Sequence, residues 1–237
     1  ARARELAKQI DEVLRTTGAA KVNLIAHSMG GLDGRYLISS LGYGNRVASL
    51  TTISTPHRGS AVADVALRLT PGIVDDALNA IAKAWGETFS SVASDPNMRA
   101  ALQSLSESNA PSFNAANPDD TRVYYQSYAG VSSVLGIPNP KDDTACGGRW
   151  LTTGSADRMD VLLTGGAAFV AHGLSLLPND GMVMVTSAKW GTFKGCIAAD
   201  HLDEVGQIKD SGTDPRTGFN HLSFYRTIAS GLQTRGL

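Results

Sequence analysis

Cysteine is scarce in this chain, two residues in 237, and neither a CxxC pair nor a zinc-ligand spacing occurs. That absence excludes a dithiol redox motif and a cysteine zinc site. Cys146 and Cys196 both lie in glycine-containing segments, "TACGGRW" and "FKGCIAA". Two readings stay open for them: a pair of free, half-buried thiols, or one disulfide in an exported protein. Charge of one sign is lacking as well. A net charge of −1 and a pI of 6.6 provide no global field for nucleic acid or for an acidic membrane surface. No run of eighteen uninterrupted apolar residues is present, which argues against a membrane span. Repeats and low-complexity tracts are absent too. The opening "ARARELAKQI" has no initiator methionine, signal peptide or preceding strand, so the expectation is an excerpt of a longer mature protein.

What is present reads as one α/β domain over residues 1–237. An apolar share of 42% and a charged share of 18% suit a single well-buried core. Leu6, Ile10, Val13 and Leu14 recur at helical spacing in 2–17, and Gly18 follows as a C-cap. "KVNLIA" (21–26) reads as a short buried strand, "GGLDGRYLISSL" (30–41) as a helix and "RVASLTTIS" (46–54) as the next strand. Helix and strand alternating through short loops is the signature of a parallel sheet. From Val62 to Glu107 the period is helical, with Val74, Leu78, Ile81, Trp85, Phe89 and Val92 on one stripe. Such a stripe is a core-facing helix by default, and a run this long between strands also suits an inserted helical cap over 62–108. "RVYYQSYAG" (122–130) returns to strand, 136–157 is irregular, 158–175 is helical, "MVMVTSAKW" reads as a strand, and a helix spans 221–232.

The chemistry centres on "LIAHSMGG" (24–31). Between a strand and a helix, Ser28 sits on a sharp turn that strains the backbone and lifts the hydroxyl above the sheet. Ala26 and Gly30 keep the flanks small. The N–H of Met29, at the helix start, points where an oxyanion develops. A serine needs a base, and the base needs an orienting carboxylate. His27 and His57 come too early for the chain order Ser, Asp/Glu, His. His172 falls within a helical stretch and His221 at a helix start, as packing or capping residues. His201, in "AADHLDEVGQ", follows a strand, and Asp180, in "LPNDGMV", precedes that same strand. An Asp-Gly turn residue is the plain alternative for Asp180, and Asp160 and Asp200 compete for its role.

"KVNLIAHSMGGLDGRYL", "TTISTPHRGSAVAD", "NDGMV" and "HLDEVGQI", in that order, resemble the bacterial true lipases of family I, the Pseudomonas/Burkholderia type. The resemblance runs through most of the chain and is weakest across 130–157. It implies an α/β-hydrolase core, a helical lid, and a secreted enzyme hydrolysing long-chain acylglycerol esters at an oil–water interface. It also implies Ser28 as nucleophile, His201 as general base and then acid, and Asp180 as the residue that fixes its tautomer. A structural Ca²⁺ follows from it, with Asp160 and Asp203 as carboxylate ligands, the Gln207 carbonyl as a third and position Ser211 as a fourth, where "KDSGTDPRTGF" departs from the family. A dedicated folding chaperone is a further implied partner. The cysteines do not occupy the family's disulfide positions, so a Cys146–Cys196 bridge rests on their number. The family's first strands and the His-Gly loop with the second oxyanion donor are expected upstream of Ala1. Two other functions compete: a carboxylesterase for short or polymeric esters, and a non-catalytic lipid-binding protein on the same fold.

Overall fold

Among the described residues, four strands follow one another in sequence order and all run in one direction. A computed structural model describes residues 1–67, 98–154, 157–207 and 212–237. The strands are β1 (Val22–His27), β2 (Val47–Ile53), β3 (Tyr124–Gly130) and β4 (Thr192–Ile197), in the spatial order β1-β2-β3-β4. Register runs from Val22↔Val47 to His27↔Ile53, from Ser49↔Tyr124 to Ile53↔Tyr128, and from Gln126↔Thr192 to Gly130↔Ile197, all parallel. Parallel neighbours need crossovers. Helix α2 (Met29–Ser39) supplies the first. The second contains α3 (Ala61–Ala66), α4 (Met98–Leu105) and α5 (Ala110–Ala116). The third holds α6 (Asp142–Cys146), α7 (Val161–Val170) and the short α8 (Val185–Ala188). Helix α1 (Arg2–Thr17) opens the chain and α9 (His221–Thr234) closes it. All four strands therefore discharge their following loops at one sheet edge, at Ser28, Ser54, Val131 and Ala198.

Apolar residues cover both faces of the sheet. On one, Leu37 and Ile38 of α2 and Ile10 of α1 pack with Val47, Leu50 and Tyr125. The α2 contact is close enough that a Cβ on Gly34 would lie 2.9 Å from Leu50 Cδ1. On the other, Phe224, Ile228 and Leu232 of α9 meet Ile53, Tyr128 and Ile197. Helix α1 buries Ala3, Ala7 and Ile10 rather than the full predicted stripe, and Val13 faces water. Ala3, Ala7 and Ile10, with half-buried Leu14, form the inward stripe, and Val13 falls outside it. Arg35 of α2 is also buried. Its guanidinium lies 3.7 Å from the Trp190 ring centroid and donates to Asn114 Oδ1 and Asn117 O, which ties α2, α5 and the entry to β4 together.

Two expectations change, and a third falls outside the described residues. Strand β1 is half-buried rather than buried, because among the described residues it pairs on one side only. "MVMVTSAKW" is not a strand: Asp180 Oδ1 accepts the N–H groups of Met182 and Val183, which folds the segment into a turn, and α8 follows. The strand before His201 is Thr192–Ile197. Residues 68–97, which carry the predicted stripe and most of the expected cap, lie outside the described residues.

Cys146, at the end of α6, is bonded to Cys196 of β4, with the Cα atoms 5.6 Å apart. Both are fully buried in the cluster formed with Val131, Leu163, Val183 and Val185. Closing a loop of 50 residues contributes about 4 kcal/mol in the chain-entropy model. Urea unfolding under a reductant, or of a Cys146→Ser/Cys196→Ser variant, is expected to show a loss of that order. An unchanged midpoint would remove the bridge from the stability of the fold.

Candidate active site

Ser28 is the first residue beyond β1. Its N–H donates to Ile53 O at 2.9 Å, extending the β1–β2 ladder by one rung, and its backbone then turns to φ 53°, ψ −134°. A serine in that region costs about 1–3 kcal/mol, which the surrounding packing has to hold. Thr55 Oγ1 donates to Ser28 O at 2.7 Å. A Cβ at position 31 would lie 2.1 Å from that same Thr55 Oγ1, so Gly31 is the glycine this turn cannot replace. A Cβ at Gly30 would sit 3.7 Å from Ala26 Cβ, an ordinary contact. Met29 begins α2, so its N–H has no partner within the helix and lies at the positive end of the helix dipole.

The structure brings Ser28, His201 and Asp180 into one hydrogen-bonded chain. Ser28 Oγ donates to His201 Nε2 at 2.9 Å, and His201 Nδ1 donates to Asp180 Oδ2 at 2.7 Å. Both His201 and Asp180 are buried. Burial raises the pKa of Asp180, but the His201 interaction and the N–H groups of Met182 and Val183 outweigh it and hold the carboxyl below its ordinary range. Asp180 O also accepts the His201 N–H at 3.0 Å, so backbone and side chain fix the two residues together. A strained serine, an imidazole on its hydroxyl and an ionised carboxylate behind the imidazole can together generate an alkoxide-like nucleophile near neutral pH.

Sequence reasoning missed a second buried carboxylate, Glu204. Its Oε1 accepts from Ser54 Oγ at 2.6 Å, and Ser54 Oγ accepts the Gly130 N–H at 3.0 Å. Its Oε2 lies 3.0 Å from His27 Nε2, although the two are not aligned for a hydrogen bond. Complete burial, then the Asp180 charge, push the Glu204 carboxyl well above its usual range. Burial, then His201, lower His27, whose ring centroid is 4.4 Å from that of His201. Both shifts run toward the neutral form of the group. The only sequence signal is position: Glu204 lies three residues past His201, in the turn Asp203–Val205.

Three acidic side chains gather beside the same loop. Ligand-capable atoms of Asp157, Asp200 and Asp203 all lie within 4.8 Å of one another. Asp157 is 2% exposed and its Oδ2 has no hydrogen-bond partner. Burial and the neighbouring Asp200, Asp203 and Asp214 push its pKa up to about 7. Asp203 lies in this group, whereas Asp160 does not join it. Asp160 Oδ1 instead accepts the Leu162 N–H as the N-cap of α7, and its own N–H donates to Asp200. Asp157, three residues earlier, takes the place beside Asp203. The Gln207 N–H donates to Leu202 O, which keeps that residue at the same turn, and Ser211 lies outside the described residues. An orphaned buried carboxylate oxygen among like charges fits a hard divalent cation.

A parallel sheet whose carboxyl edge carries a serine–histidine–aspartate chain defines a hydrolase-type protein. Residues 2–153 match the α/β-hydrolase fold family. The chain is 30% identical to a triacylglycerol lipase of Pseudarthrobacter phenanthrenivorans, across all of this chain and 81% of that protein. It is 30% identical to one of Burkholderia plantarii, across all of this chain and 72% of that one. A yeast relative named triacylglycerol lipase 2 is 32% identical over 98% of this chain, which spans 63% of that protein's length. The mature form of a Bacillus licheniformis lipase shares the fold at a TM-score of 0.58 and 20% identity, over 84% of this chain and 65% of that structure. The chain belongs to the α/β-hydrolase fold family and, within it, to the triacylglycerol lipase group of these bacterial relatives.

Gly130 provides a direct check on the Glu204 contact. A Cβ there would fall 1.9 Å from Glu204 Oε1 and 2.7 Å from Ala199 O. Gly130→Ala is expected to cost about 1–3 kcal/mol in denaturant unfolding, from overpacking a closed site. A stability equal to the parent's would show that Glu204 can move aside.

Proposed function

We propose that this protein is an exported serine ester hydrolase that acts on acylglycerols through an acyl-enzyme. The observation that carries the reading is the Ser28–His201–Asp180 chain, at 2.9 and 2.7 Å, on a serine with φ 53°. His201 Nε2 takes the Ser28 proton as Oγ attacks the ester carbonyl carbon. The carbonyl oxygen becomes the oxyanion, and the Met29 N–H at the head of α2 is its donor in this chain. Asp180 stabilises the imidazolium so formed. Collapse breaks the bond to the leaving alcohol, which departs with the proton from His201. Water then attacks the acyl-enzyme, His201 accepts its proton, and the fatty acid leaves as Ser28 recovers its hydrogen. A buried disulfide supports export, and no helix among the described residues is long and apolar enough to cross a membrane.

A fluorophosphonate probe tests the chemistry. Labelling at Ser28 that disappears in Ser28→Ala and falls about 10³-fold or more in His201→Ala is the expected outcome. Absence of labelling would favour a non-catalytic lipid binder. Hydrolysis that rises with acyl length across p-nitrophenyl esters is expected for an acylglycerol lipase, whereas a maximum at acetate or butyrate would favour a carboxylesterase.

Asp157 and Asp203 would hold a structural Ca²⁺, with hard oxygen ligands bracing the loop that carries His201. Asp200 already accepts the N–H groups of Asp160, Leu202 and Asp203, so it would shape the loop around such an ion. Calcium is expected to raise the melting temperature of the parent and of Asp160→Asn, but not that of Asp157→Asn. An equal response in all three would remove Asp157 from the ligand set.

A further inference from the structure

A second group of ligand-capable side chains lies at the triad, apart from the three aspartates. Ligand-capable atoms of His27, His201 and Glu204 all fall within 4.8 Å of one another. Three parts of the chain supply them: His27 ends β1, His201 follows β4, and Glu204 sits in the turn Asp203–Val205. His27 Nε2 and Glu204 Oε2 are 3.0 Å apart, and neither atom has a hydrogen-bond partner. The Glu204 side chain is completely buried, whereas that of His27 is 18% exposed. Packing alone accounts for the tilted contact of the His27 and His201 rings, whose centroids are 4.4 Å apart. It gives no reason to set an unpaired ring nitrogen against an unpaired, buried carboxylate oxygen, which costs free energy on both sides.

Two imidazoles and one carboxylate are a donor set for a borderline-soft divalent cation such as Zn²⁺ rather than for Ca²⁺. Bonds of about 2.1 Å at tetrahedral angles set ligand atoms about 3.4 Å apart, so the 3.0 Å spacing of His27 and Glu204 needs little change. Burial, then His201, shift His27 toward the neutral ring that a metal requires. The charge of an entering cation favours the carboxylate form of Glu204, whose proton leaves to water. The exposed side of His27 gives the ion a way in.

We propose that His27, His201 and Glu204 form an inhibitory Zn²⁺ site that takes the imidazole of His201 out of the triad. The inhibitory half of the proposal rests on the ester-hydrolase reading above, and the binding half does not. Both His201 nitrogens are already committed, Nε2 to Ser28 Oγ at 2.9 Å and Nδ1 to Asp180 Oδ2 at 2.7 Å. Whichever nitrogen the ion takes, one of those hydrogen bonds is lost. Loss at Nε2 removes the base from Ser28, and loss at Nδ1 removes the group that fixes its tautomer. Two neighbouring donor sets thus answer different cations. The Asp157 and Asp203 oxygens suit a hard ion that would brace the His201 loop, and the imidazole set suits one that silences it.

Protein carrying Ser28→Ala, titrated with Zn²⁺ in excess Ca²⁺, is expected to bind one equivalent by calorimetry. His27→Asn and Glu204→Gln in that background are each expected to weaken binding about tenfold or more. A glutamine amide oxygen still accepts from Ser54 Oγ, and the zinc-free melting temperature checks that each variant is folded. With Ser28 intact, Zn²⁺ is expected to slow fluorophosphonate labelling about tenfold or more, and a zinc-selective chelator to restore it. Each variant, measured against its own zinc-free rate, should need about tenfold more Zn²⁺ for the same effect. Unchanged zinc affinity in both variants would overturn the proposal, as would no binding by the parent. Affinity lost in Asp157→Asn but kept in His27→Asn would assign the ion to the aspartates and overturn it too. Labelling equally fast with and without bound zinc would overturn the inhibitory role. Zinc bound through His27 and Glu204 by a protein that neither labels nor hydrolyses ester would instead defeat the catalytic reading and leave the binding site standing.

Discussion

The carboxylate of Glu204 is removed entirely from water at the point where three parallel strands end. Burying such a group is costly unless its neutral form is favoured and it is hydrogen-bonded. Burial and the nearby Asp180 charge favour the neutral form, and Ser54 Oγ donates to it. The consequences spread outward. Ser54 adopts φ 43° with its hydroxyl between Glu204 and the Gly130 N–H. Position 130 has no space for a Cβ. His27, at the end of β1, lies against the other oxygen. The ends of β1, β2 and β3 are thereby referenced to a residue only three positions from His201.

The histidine loop is constrained from its other side as well. Asp200 caps the turn through the Leu202 and Asp203 N–H groups, and its second oxygen accepts the Asp160 N–H at the start of α7. The disulfide holds β4 to α6 just before the loop begins. Residues 149–151 also add to the outer edge of β4, since the Cys196 N–H donates to Arg149 O and the Leu151 N–H to Cys196 O. A reacting geometry that must hold to a fraction of an ångström is better served by such over-determination than by any single strong contact. Asp157, without a partner for one oxygen, is the part of this frame that a cation would complete.

Much of this was legible in the residue pattern, and the exceptions have physical causes. Helix α1 and its Gly18 cap, the turn at Ser28 and the order Ser28, Asp180, His201 depend on local chemistry and periodicity, which a sequence displays. Strand "MVMVTSAKW" failed because β-branched and apolar residues describe burial as readily as extension. The two hydrogen bonds to Asp180 Oδ1, invisible in a propensity, decided for a turn. Asp160 and Asp157 are three residues apart and chemically identical. Only the capping of α7 by one and the burial of the other distinguishes them. Glu204 and Ser54 are 150 residues apart, so no local pattern could have paired them.

Two buried carboxylates close to one imidazole pose an electrostatic problem that the fold resolves by unequal solvation. Asp180 accepts two backbone N–H groups as well as the His201 ring, so its ionised form is stabilised. Glu204 has one hydroxyl donor and a poorly aligned histidine, so its ionised form is less favoured. The negative charge is consequently localised on the carboxylate bonded to His201 Nδ1. In the proposed reaction that is the position from which it best stabilises the imidazolium, and a second charge on Glu204 would compete for the same proton. Environments that drive two acids in opposite directions separate a charged role from a neutral one. Here the acid whose neutral form is favoured organises the strand ends, and the acid whose ionised form is favoured orients the base.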